Sequence, residues 1–292
     1  MKVYNVLEEK GGTSKSTTVQ NLAYGLSKKG YRVLVIDLDP QANTTGILLR
    51  VAERLDPMSI DDVLSRNADV DDPVQAGMIL EEFVRKRVYQ LDSGDVLLHP
   101  KNIKSAIIHT EYDNLDIIPS SARLSTTDID LKISGQKVDT RLAMALDRVR
   151  DSYDYAIIDN SPFINSLGIN AIHACQNEGD LVIIPVKVDQ GGLEGYVSTF
   201  RQLVSALEFD ENLEFDFRIL ATMVNRNASD RNVIRLLRGL FGMRVLETEI
   251  RYQAKPVSQS SLDKDVLMNS RFRGSGVADD YRRLVEEIEG MR

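Results

Sequence analysis

The segment that decides the fold of this 292-residue chain is residues 9–17, which read EKGGTSKST. It follows a short apolar run, residues 3–7, and leads into residues 17–29, where apolar side chains recur on one helical face. A glycine-rich turn between a strand and a helix directs several backbone N–H groups, and the positive end of the helix dipole, toward one point. The segment therefore predicts a phosphate-binding loop.

This loop fits the variant pattern KGGxxK[ST] and not the common GxxxxGK[ST], because Glu9 and Ser14 stand where the common pattern has glycines. In loops of this kind the lysine, here Lys15, reaches the β- and γ-phosphates, and the hydroxyl of Ser16 ligates Mg²⁺. The alternative is an ordinary Gly-Gly turn with two solvated lysines. The predicted phosphate-binding residues are Gly11, Gly12, Thr13, Ser14, Lys15, Ser16 and Thr17.

Apolar runs of strand length alternate with helical patterns along the chain. The runs are continuous, which is typical of parallel strands covered on both faces. Strand, helix and strand at this spacing imply right-handed crossovers, so we predict an α/β fold with a doubly wound, mostly parallel sheet flanked by helices, of the P-loop NTPase type. The runs are residues 3–7, 32–36, 115–118, 155–158, 181–186 and 218–224.

The domain organisation is expected to be simple. We find no internal repeat, low-complexity tract or linker, and we predict a single domain over residues 1–292. Residues 57–104 are the least regular region, with acidic stretches and an amphipathic piece at residues 79–88. We interpret this region as helical decoration on the α/β core.

Composition excludes several classes of protein. No run approaches the roughly 20 apolar residues that span a bilayer, and the N-terminus lacks a signal-peptide layout, so we expect a cytoplasmic protein. The single Cys175 cannot form an internal disulfide and is expected to be a packing residue. A net charge of −8 argues against a protein whose whole surface binds nucleic acid, but it leaves room for a local basic patch.

Two segments place carboxylates at the predicted carboxyl edge of the sheet. Asp37 and Asp39 lie in VIDLDPQ, residues 35–41, and Asp159 ends the apolar run of residues 155–158. Ligands of open α/β sheets bind at this edge. However, Asp37 and Asp39 are also suited to capping a following helix, and many buried strands end in aspartate. The spacing alone therefore leaves their roles open.

Taken together, these segments resemble the deviant-Walker ATPases, a family that includes ParA-type partition proteins, MinD-type division-site proteins and the nitrogenase iron protein. In that family an additional lysine, which Lys10 matches, reaches across a dimer to the partner's nucleotide. The resemblance therefore implies a homodimer assembled with ATP, in which Lys10 also binds the nucleotide. Residues 35–41 resemble the family's first switch, and residues 155–162 resemble its Walker B segment, with Ser161 in place of a proline.

The same resemblance implies roles for individual residues. Lys10, Lys15 and Asp39 would be catalytic, with Asp39 orienting or deprotonating the attacking water. Asp37 would lie near Mg²⁺ and its water shell, and Asp159 would hold Mg²⁺ through water. The implied metal residues are Ser16, Asp37 and Asp159.

Two further segments resemble functional parts of the family. Residues 165–170 would form the second switch. Asn225, which follows the run of residues 218–224, resembles the residue that reads adenine, because an amide offers one donor and one acceptor. Asparagine is also an ordinary turn former, so this role competes with a structural one.

Residues that are present or absent distinguish the branches of the family. The iron protein needs two cysteines per subunit, and this chain has one. The division-site type ends in a basic amphipathic helix, whereas residues 279–289 carry many acids, so we expect no membrane attachment. Residues 183–195 and 246–261 resemble the partition type, and residues 75–104 look like a helical insertion relative to shorter members.

The resemblance to the partition type implies an ATPase that dimerises with ATP and Mg²⁺, binds nonspecific DNA and is released by slow hydrolysis. A ParB-like centromere-binding protein would stimulate it in plasmid or chromosome partition, and the ATP form would associate with the nucleoid. The alternatives are an ATP-switch scaffolding or positioning protein that does not bind DNA, and a metabolic ligase or reductase. The candidate DNA contacts, each of which is also suited to being a solvated surface residue, are Arg231, Arg235, Arg238, Arg251, Lys255, Arg271 and Arg273.

Overall fold

The computed structural model describes residues 1–50, 65, 70–84, 90–133, 139–162, 166–209, 214–225 and 227–291. The strands are β1 (Lys2–Val6), β2 (Val33–Leu38), β3 (Ile108–His109), β4 (Leu115–Ile118), β5 (Tyr155–Asn160), β6 (Leu181–Lys187), β7 (Phe217–Val224) and β8 (Val245–Arg251). They form one eight-stranded sheet in the order β3-β4-β2-β5-β1-β6-β7-β8. Each neighbouring pair is parallel except the antiparallel pair of β3 and β4. The predicted doubly wound, mostly parallel sheet is confirmed.

Helices cover both faces of this sheet. They are α1 (Lys15–Lys28), α2 (Asn43–Leu48), α3 (Pro73–Val84), α4 (Ser93–Leu98), α5 (Ile103–Ala106), α6 (Leu124–Ile133), α7 (Arg141–Asp147), α8 (Ser166–His173), α9 (Gln190–Phe209), α10 (Ala228–Phe241), α11 (Ala254–Leu262) and α12 (Gly276–Gly290). Short 3₁₀ turns occur at Pro100–Asn102 and Gly242–Arg244.

The continuous apolar runs are explained by two hydrophobic cores, one on each side of the sheet. In β2, Leu34 and Ile36 enter the core formed with α4, α7, α8 and α9, whereas Val33 and Val35 enter the core formed with α1 and α12. Because successive side chains of a strand point to opposite faces, a strand buried on both sides needs apolar residues at every position. The six predicted runs are strands, with ends that differ by at most two residues.

The strand order brings the candidate functional residues to one edge. β2, β5 and β1 are neighbours at the centre of the sheet, and Asp37 of β2 lies in register with Asp159 of β5. Asp159 is also in register with Val6, the last residue of β1, from which the phosphate loop leaves. The loop and both carboxylates therefore start from three adjacent strand ends.

One part of the sequence interpretation needs correction, and another lies partly outside the described residues. Residues 93–106 are not decoration on the core but part of it, because Val96, Leu97 and Ile103 are buried in the core on one face of the sheet. The amphipathic piece predicted at residues 79–88 overlaps α3, which ends at Val84, and residues 85–89 lie outside the described residues. The two-residue edge strand β3 was not predicted, because two residues are too few to show a strand pattern.

The C-terminal helix α12 is a packed element of the core. It begins at the N-cap Ser275, whose side chain accepts a hydrogen bond from the N–H of Ala278, and it buries Tyr281, Leu284 and Ile288 on the side of the sheet where α1 lies. Its apolar face is therefore occupied. Among the residues that the structure describes, no helix is both long and apolar enough to cross a membrane.

Candidate functional site

The loop between β1 and α1 has a backbone shaped for close approach by a ligand. Gly12 and Ser14 have φ angles of 78° and 72°, in the left-handed region that favours glycine. A Cβ placed on Gly11 or Gly12 would meet no atom within 4 Å, so the outer face of the loop is open. The loop is fixed from behind, where the hydroxyl of Thr222 donates to the carbonyl of Thr13 at 3.2 Å.

Lys15 lies at the start of α1 and points back into this loop. Its Nζ donates to the carbonyl of Lys10 at 3.3 Å, and the side chain is 7% exposed. Burial lowers the pKa of Lys15, and the negative charge of Asp159 opposes that effect. An ammonium held by one carbonyl has donors left for a phosphate, which fits the predicted role of Lys15.

Asp159 ends β5 and is fully buried. One oxygen, Oδ2, accepts a hydrogen bond from the hydroxyl of Thr44 at 2.6 Å, and the carboxylate is also hydrogen-bonded by Ser16. The other oxygen, Oδ1, has no partner among the described residues. Burial raises the pKa of Asp159 to about 6. A buried carboxylate oxygen without a donor is costly unless a cation or its water shell satisfies it.

The residues present fit Mg²⁺ on the chemistry of their donors. Ser16 and Asp159 offer oxygen atoms at one point, and Mg²⁺ prefers oxygen and keeps several waters instead of filling an all-protein cage. The described residues contain no group of three or more His, Cys, Asp or Glu side chains that could hold a metal ion by themselves. Ser16 and Asp159 would hold the ion, one of them through water.

Asp37 is buried beside Asp159 and organises the segment that follows β2. Its Oδ1 accepts the N–H of Asp39 at 3.0 Å, and its Oδ2 accepts the N–H and the hydroxyl of Thr45 at 2.8 and 2.7 Å. Burial, followed by the charge of Asp159, raises the pKa of Asp37 to about 8. Thr45 lies in the first turn of α2, so Asp37 does accept hydrogen bonds from the start of the following helix, as the alternative role of helix capping predicts. Its place in the water shell of Mg²⁺ stays a prediction.

Asp39 lies closer to the surface of the same cluster. Its side chain accepts the N–H of Gln41 at 2.9 Å, and its carbonyl accepts the hydroxyl of Ser120 at 2.6 Å. Its charge acts on both Lys15 and Asp159. The role of Asp39 in orienting a water stays a prediction.

A cavity of about 400 Å³ opens beside the loop, a volume suited to a small ligand. One wall comes from Ser14, Ser16 and Thr17, and the opposite wall comes from the junction of β8 and α11. Sequence reasoning missed the second wall, since it noted the resemblance of residues 246–261 to the partition type but gave those residues no role. This wall includes Arg251, Tyr252, Gln253, Ala254 and Val257.

Asn225 is exposed at the end of β7. Its side-chain nitrogen donates to the carbonyl of Met223 at 3.2 Å, and its N–H donates to Asp230 at 2.6 Å. Among the described residues that line the cavity, β7 contributes Met223 and not Asn225. Contact with adenine stays a prediction for Asn225. In the predicted second switch, Asn165 lies outside the described residues, and residues 166–170 begin α8.

Glu8 and Lys10 face α9. Glu8 is fully buried, and burial raises its pKa to about 7. Sequence reasoning missed Glu8 because two adjacent glutamates look equivalent until the turn of the backbone is known. Lys10 is exposed, and its side chain lies over Gly191 and Gly195 of α9.

The candidate DNA contacts differ in their ion pairs and in their exposure. Arg251 is removed from the candidates, because its Nε lies 2.7 Å from Oδ2 of Asp280, a carboxylate that is 1% exposed on its side chain. Arg238 lies 3.3 Å from Glu249, and Arg271 lies 3.0 Å from Asp263. Four other candidates have exposed side chains: Arg231, Arg235, Lys255 and Arg273.

One basic groove emerges from this set. Arg231, Arg235 and Arg238 follow one another along α10 at intervals of four and three residues, so they share a helix face. With Val224, Ile234 and Glu249 they line an open groove of about 650 Å³. Three of the seven candidate DNA contacts therefore line one groove, together with the acidic Glu249.

Comparisons with known proteins agree with the geometry. Residues 1–216 match the AAA domain family. The chain is 30% identical over 293 residues to the sporulation initiation inhibitor protein Soj of Bacillus subtilis, covering 98% of each chain. It is 28% identical over 293 residues to the chromosome partitioning protein ParA of Caulobacter vibrioides, covering 99% of this chain and 94% of that protein. The structure of a Cyanothece McdA–ATP complex superposes with a TM-score of 0.74 at 19% identity, covering 100% of this chain and 97% of McdA.

Proposed function

Since this chain belongs to the ParA/MinD family of P-loop ATPases, we propose that it is an ATP-driven switch that dimerises, binds DNA and is released by hydrolysis. The observation that carries the proposal is the convergence of Lys15, Ser16, Asp39 and Asp159 beside an open phosphate loop, with one oxygen of Asp159 lacking a donor.

The chain's own residues account for nucleotide binding. The backbone N–H groups of the open loop and the N-terminus of α1 bind the phosphate chain, and Lys15 neutralises its terminal charge. The cavity between the loop and the junction of β8 and α11 has the volume for the nucleoside, with Tyr252 as an aromatic side chain in its wall. Ser16 and Asp159 would hold Mg²⁺, and the ion would supply Lewis-acid stabilisation of charge on the phosphate oxygens.

Hydrolysis needs a water that is oriented in line with the terminal phosphate. Asp39 is 7% exposed and belongs to the buried carboxylate cluster, so it can orient this water without being fully solvated. Lys10 is supplied by a second copy of the chain, where its cation stabilises the charge of the transferred phosphoryl group. A homodimer around ATP is therefore part of the proposal.

DNA would be held by phosphate contacts and not by base readout. The groove of Arg231, Arg235 and Arg238 offers cations along one helix, and the exposed Lys255 and Arg273 lie in the same third of the chain. The relative named as a chromosome partitioning protein supports a role in plasmid or chromosome partition. Its partner would be a ParB-like centromere-binding protein that stimulates hydrolysis.

The experiment that tests this proposal measures binding to random duplex DNA without nucleotide, with ADP, and with ATP and Mg²⁺. We expect binding only with ATP, falling steeply with salt because each phosphate contact releases a counterion. Lys10→Ala should abolish it, whereas Lys101→Ala, an exposed lysine outside the site, should not. Equal DNA binding in all three nucleotide states would contradict the proposal.

A second measurement tests ATP-dependent dimerisation separately from DNA binding. Asp39→Ala should keep ATP-dependent dimerisation, measured by sedimentation, while hydrolysis falls about 10²-fold or more, the usual loss when a positioned base is removed. If the variant stays monomeric with ATP, the dimer that sandwiches the nucleotide is wrong.

The second candidate is an ATP switch that positions an assembly without touching DNA. The net charge of −8, and the pairing of Arg238, Arg251 and Arg271 with acids, favour it. ATP-dependent dimerisation without any DNA binding, at low as well as high salt, would select this function.

A further inference from the structure

The side chain of Lys10 lies along the first two turns of α9 of its own chain. A Cβ on Gly195 would lie 2.7 Å from Cβ of Lys10, and a Cβ on Gly191 would overlap Nζ of Lys10. These two glycines are four residues apart, so they face the same side of the helix. Any larger residue at either position would require Lys10 to move.

The backbone beneath Lys10 is fixed to the same helix. The carboxylate of Glu8 is fully buried, its Oε1 accepts the N–H of Lys10 at 3.3 Å, and a Cβ on Gly195 would lie 2.8 Å from that oxygen. The N–H of Glu9 donates to the hydroxyl of Thr199 at 2.9 Å. The loop is therefore joined to α9 at Glu9, one residue before the point where the Lys10 side chain leaves.

The charges around the ammonium group favour a weak, reversible contact. The N-terminal end of a helix is positive and repels a cation. Asp189 offsets this repulsion, since the charge of Lys10 acts on its carboxylate, but Asp189 is already engaged by Nζ of Lys187 at 2.5 Å and by the N–H of Gly192 at 2.7 Å. Because charge interactions contribute little at an exposed site, the close packing of Lys10 against Gly191 and Gly195 is its main contact with α9.

We propose that the first two turns of α9, at Gly191 and Gly195, are a resting site for the Lys10 side chain within its own chain, and that Lys10 must leave it to reach the nucleotide of a second copy. The second half of this statement rests on the proposed function. The resting site lowers the fraction of chains whose Lys10 is ready to engage, and the apparent affinity of the dimer falls by that fraction.

Gly191→Ala is the specific probe, because the atoms that its Cβ would meet are Nζ and Cε of Lys10, which are flexible, and Oδ1 of Asp189 at 3.6 Å. The matched control is Gly77→Ala in α3, where a Cβ would meet nothing within 4 Å. Both changes increase helix propensity. They differ in that only Gly191→Ala displaces Lys10.

Two measurements separate the resting site from the dimer. First, in nucleotide-free protein, an amine-reactive reagent labels Lys10, and mass spectrometry gives its rate relative to the exposed Lys101. We expect Gly191→Ala to raise that rate about twofold or more, since the ammonium loses the helix that shields it on one side, and Gly77→Ala to leave it unchanged. An unchanged rate in Gly191→Ala overturns the proposal.

Second, sedimentation with ATP and Mg²⁺ gives the dissociation constant of the dimer. Gly191→Ala should tighten the dimer about threefold to tenfold, and the gain should vanish when it is combined with Lys10→Ala. A gain that persists without Lys10 overturns the proposal. If labelling of Lys10 rises but neither protein dimerises with ATP, the resting site stands and the proposed function fails.

Discussion

Asp159→Asn should stabilise the nucleotide-free protein and weaken its binding of ATP with Mg²⁺. The carboxylate of Asp159 is fully buried, and its pKa is raised to about 6 from an ordinary 3.8. Because the folded-state pKa is the higher one, stability from this group is complete below about pH 4 and is lost as the pH rises to about 6. Asparagine keeps an acceptor for the hydroxyl of Thr44 and does not ionise.

The magnitude follows from the difference between the two pKa values. At about 1.4 kcal/mol per pH unit, ionising Asp159 in the folded protein costs on the order of 3 kcal/mol above pH 6 and about half as much at pH 5. The variant should therefore be more stable than the wild type by up to these amounts. The attraction between ionised Asp159 and Lys15 stabilises the wild type and is lost in the variant. Its effect is already included in the pKa of about 6, which is the net result of burial and of the nearby charges.

Urea unfolding at pH 5 and pH 8, without metal or nucleotide, measures this difference. The control is Asp113→Asn, whose side chain is 90% exposed and whose change should fall within about 0.5 kcal/mol at either pH. If the variant is less stable than the wild type at pH 8, the ionised carboxylate of Asp159 does not destabilise the metal-free protein, and the reasoning is refuted. Binding of fluorescent ATP with Mg²⁺ should weaken in the same variant, because the metal loses an anionic ligand.

Three further changes test other parts of the molecule. Gly25→Ala should destabilise the fold by about 1–3 kcal/mol in urea unfolding, because its Cβ would overlap Val285 of α12 and lie 3.3 Å from Met268. Asp280→Ala should lower the free energy of unfolding by about 2 kcal/mol, because it leaves the part-buried Arg251 without its bidentate partner. An effect below about 0.5 kcal/mol would show that the ion pair contributes little to stability. Arg235→Ala should weaken binding to duplex DNA alike for all sequences and reduce the salt slope by about 1, whereas a sequence-dependent loss would contradict phosphate contact.

The sheet was predictable because its strands are buried on both faces. That burial demands unbroken apolar runs, such as residues 33–36 and 181–184, and the sequence shows them directly. The edge strand β3 escaped prediction because Ile108 and His109 are too short a segment for either periodicity.

The site was predictable where a residue's function depends on its own backbone. The loop of residues 9–17 carries its chemistry in its spacing, so its position before α1 followed from the sequence. The ion pairs could not be predicted from the sequence, because they depend on which helices and strands meet in three dimensions. Arg251 looked like a surface cation until α12 brought Asp280 against it, and the burial of Glu8 depends on Gly195, far away in the chain.

The register of β2, β5 and β1 has a mechanical consequence. Hydrogen bonding holds neighbouring strands about 4.8 Å apart, so the span from Asp37 across Asp159 to the loop is fixed by the backbone and not by side-chain packing. Substitutions in the helical layers can lower the melting temperature without changing that span. The helices are accordingly free to diverge, and to acquire new surfaces, while the separation between metal-binding and phosphate-binding groups stays constant.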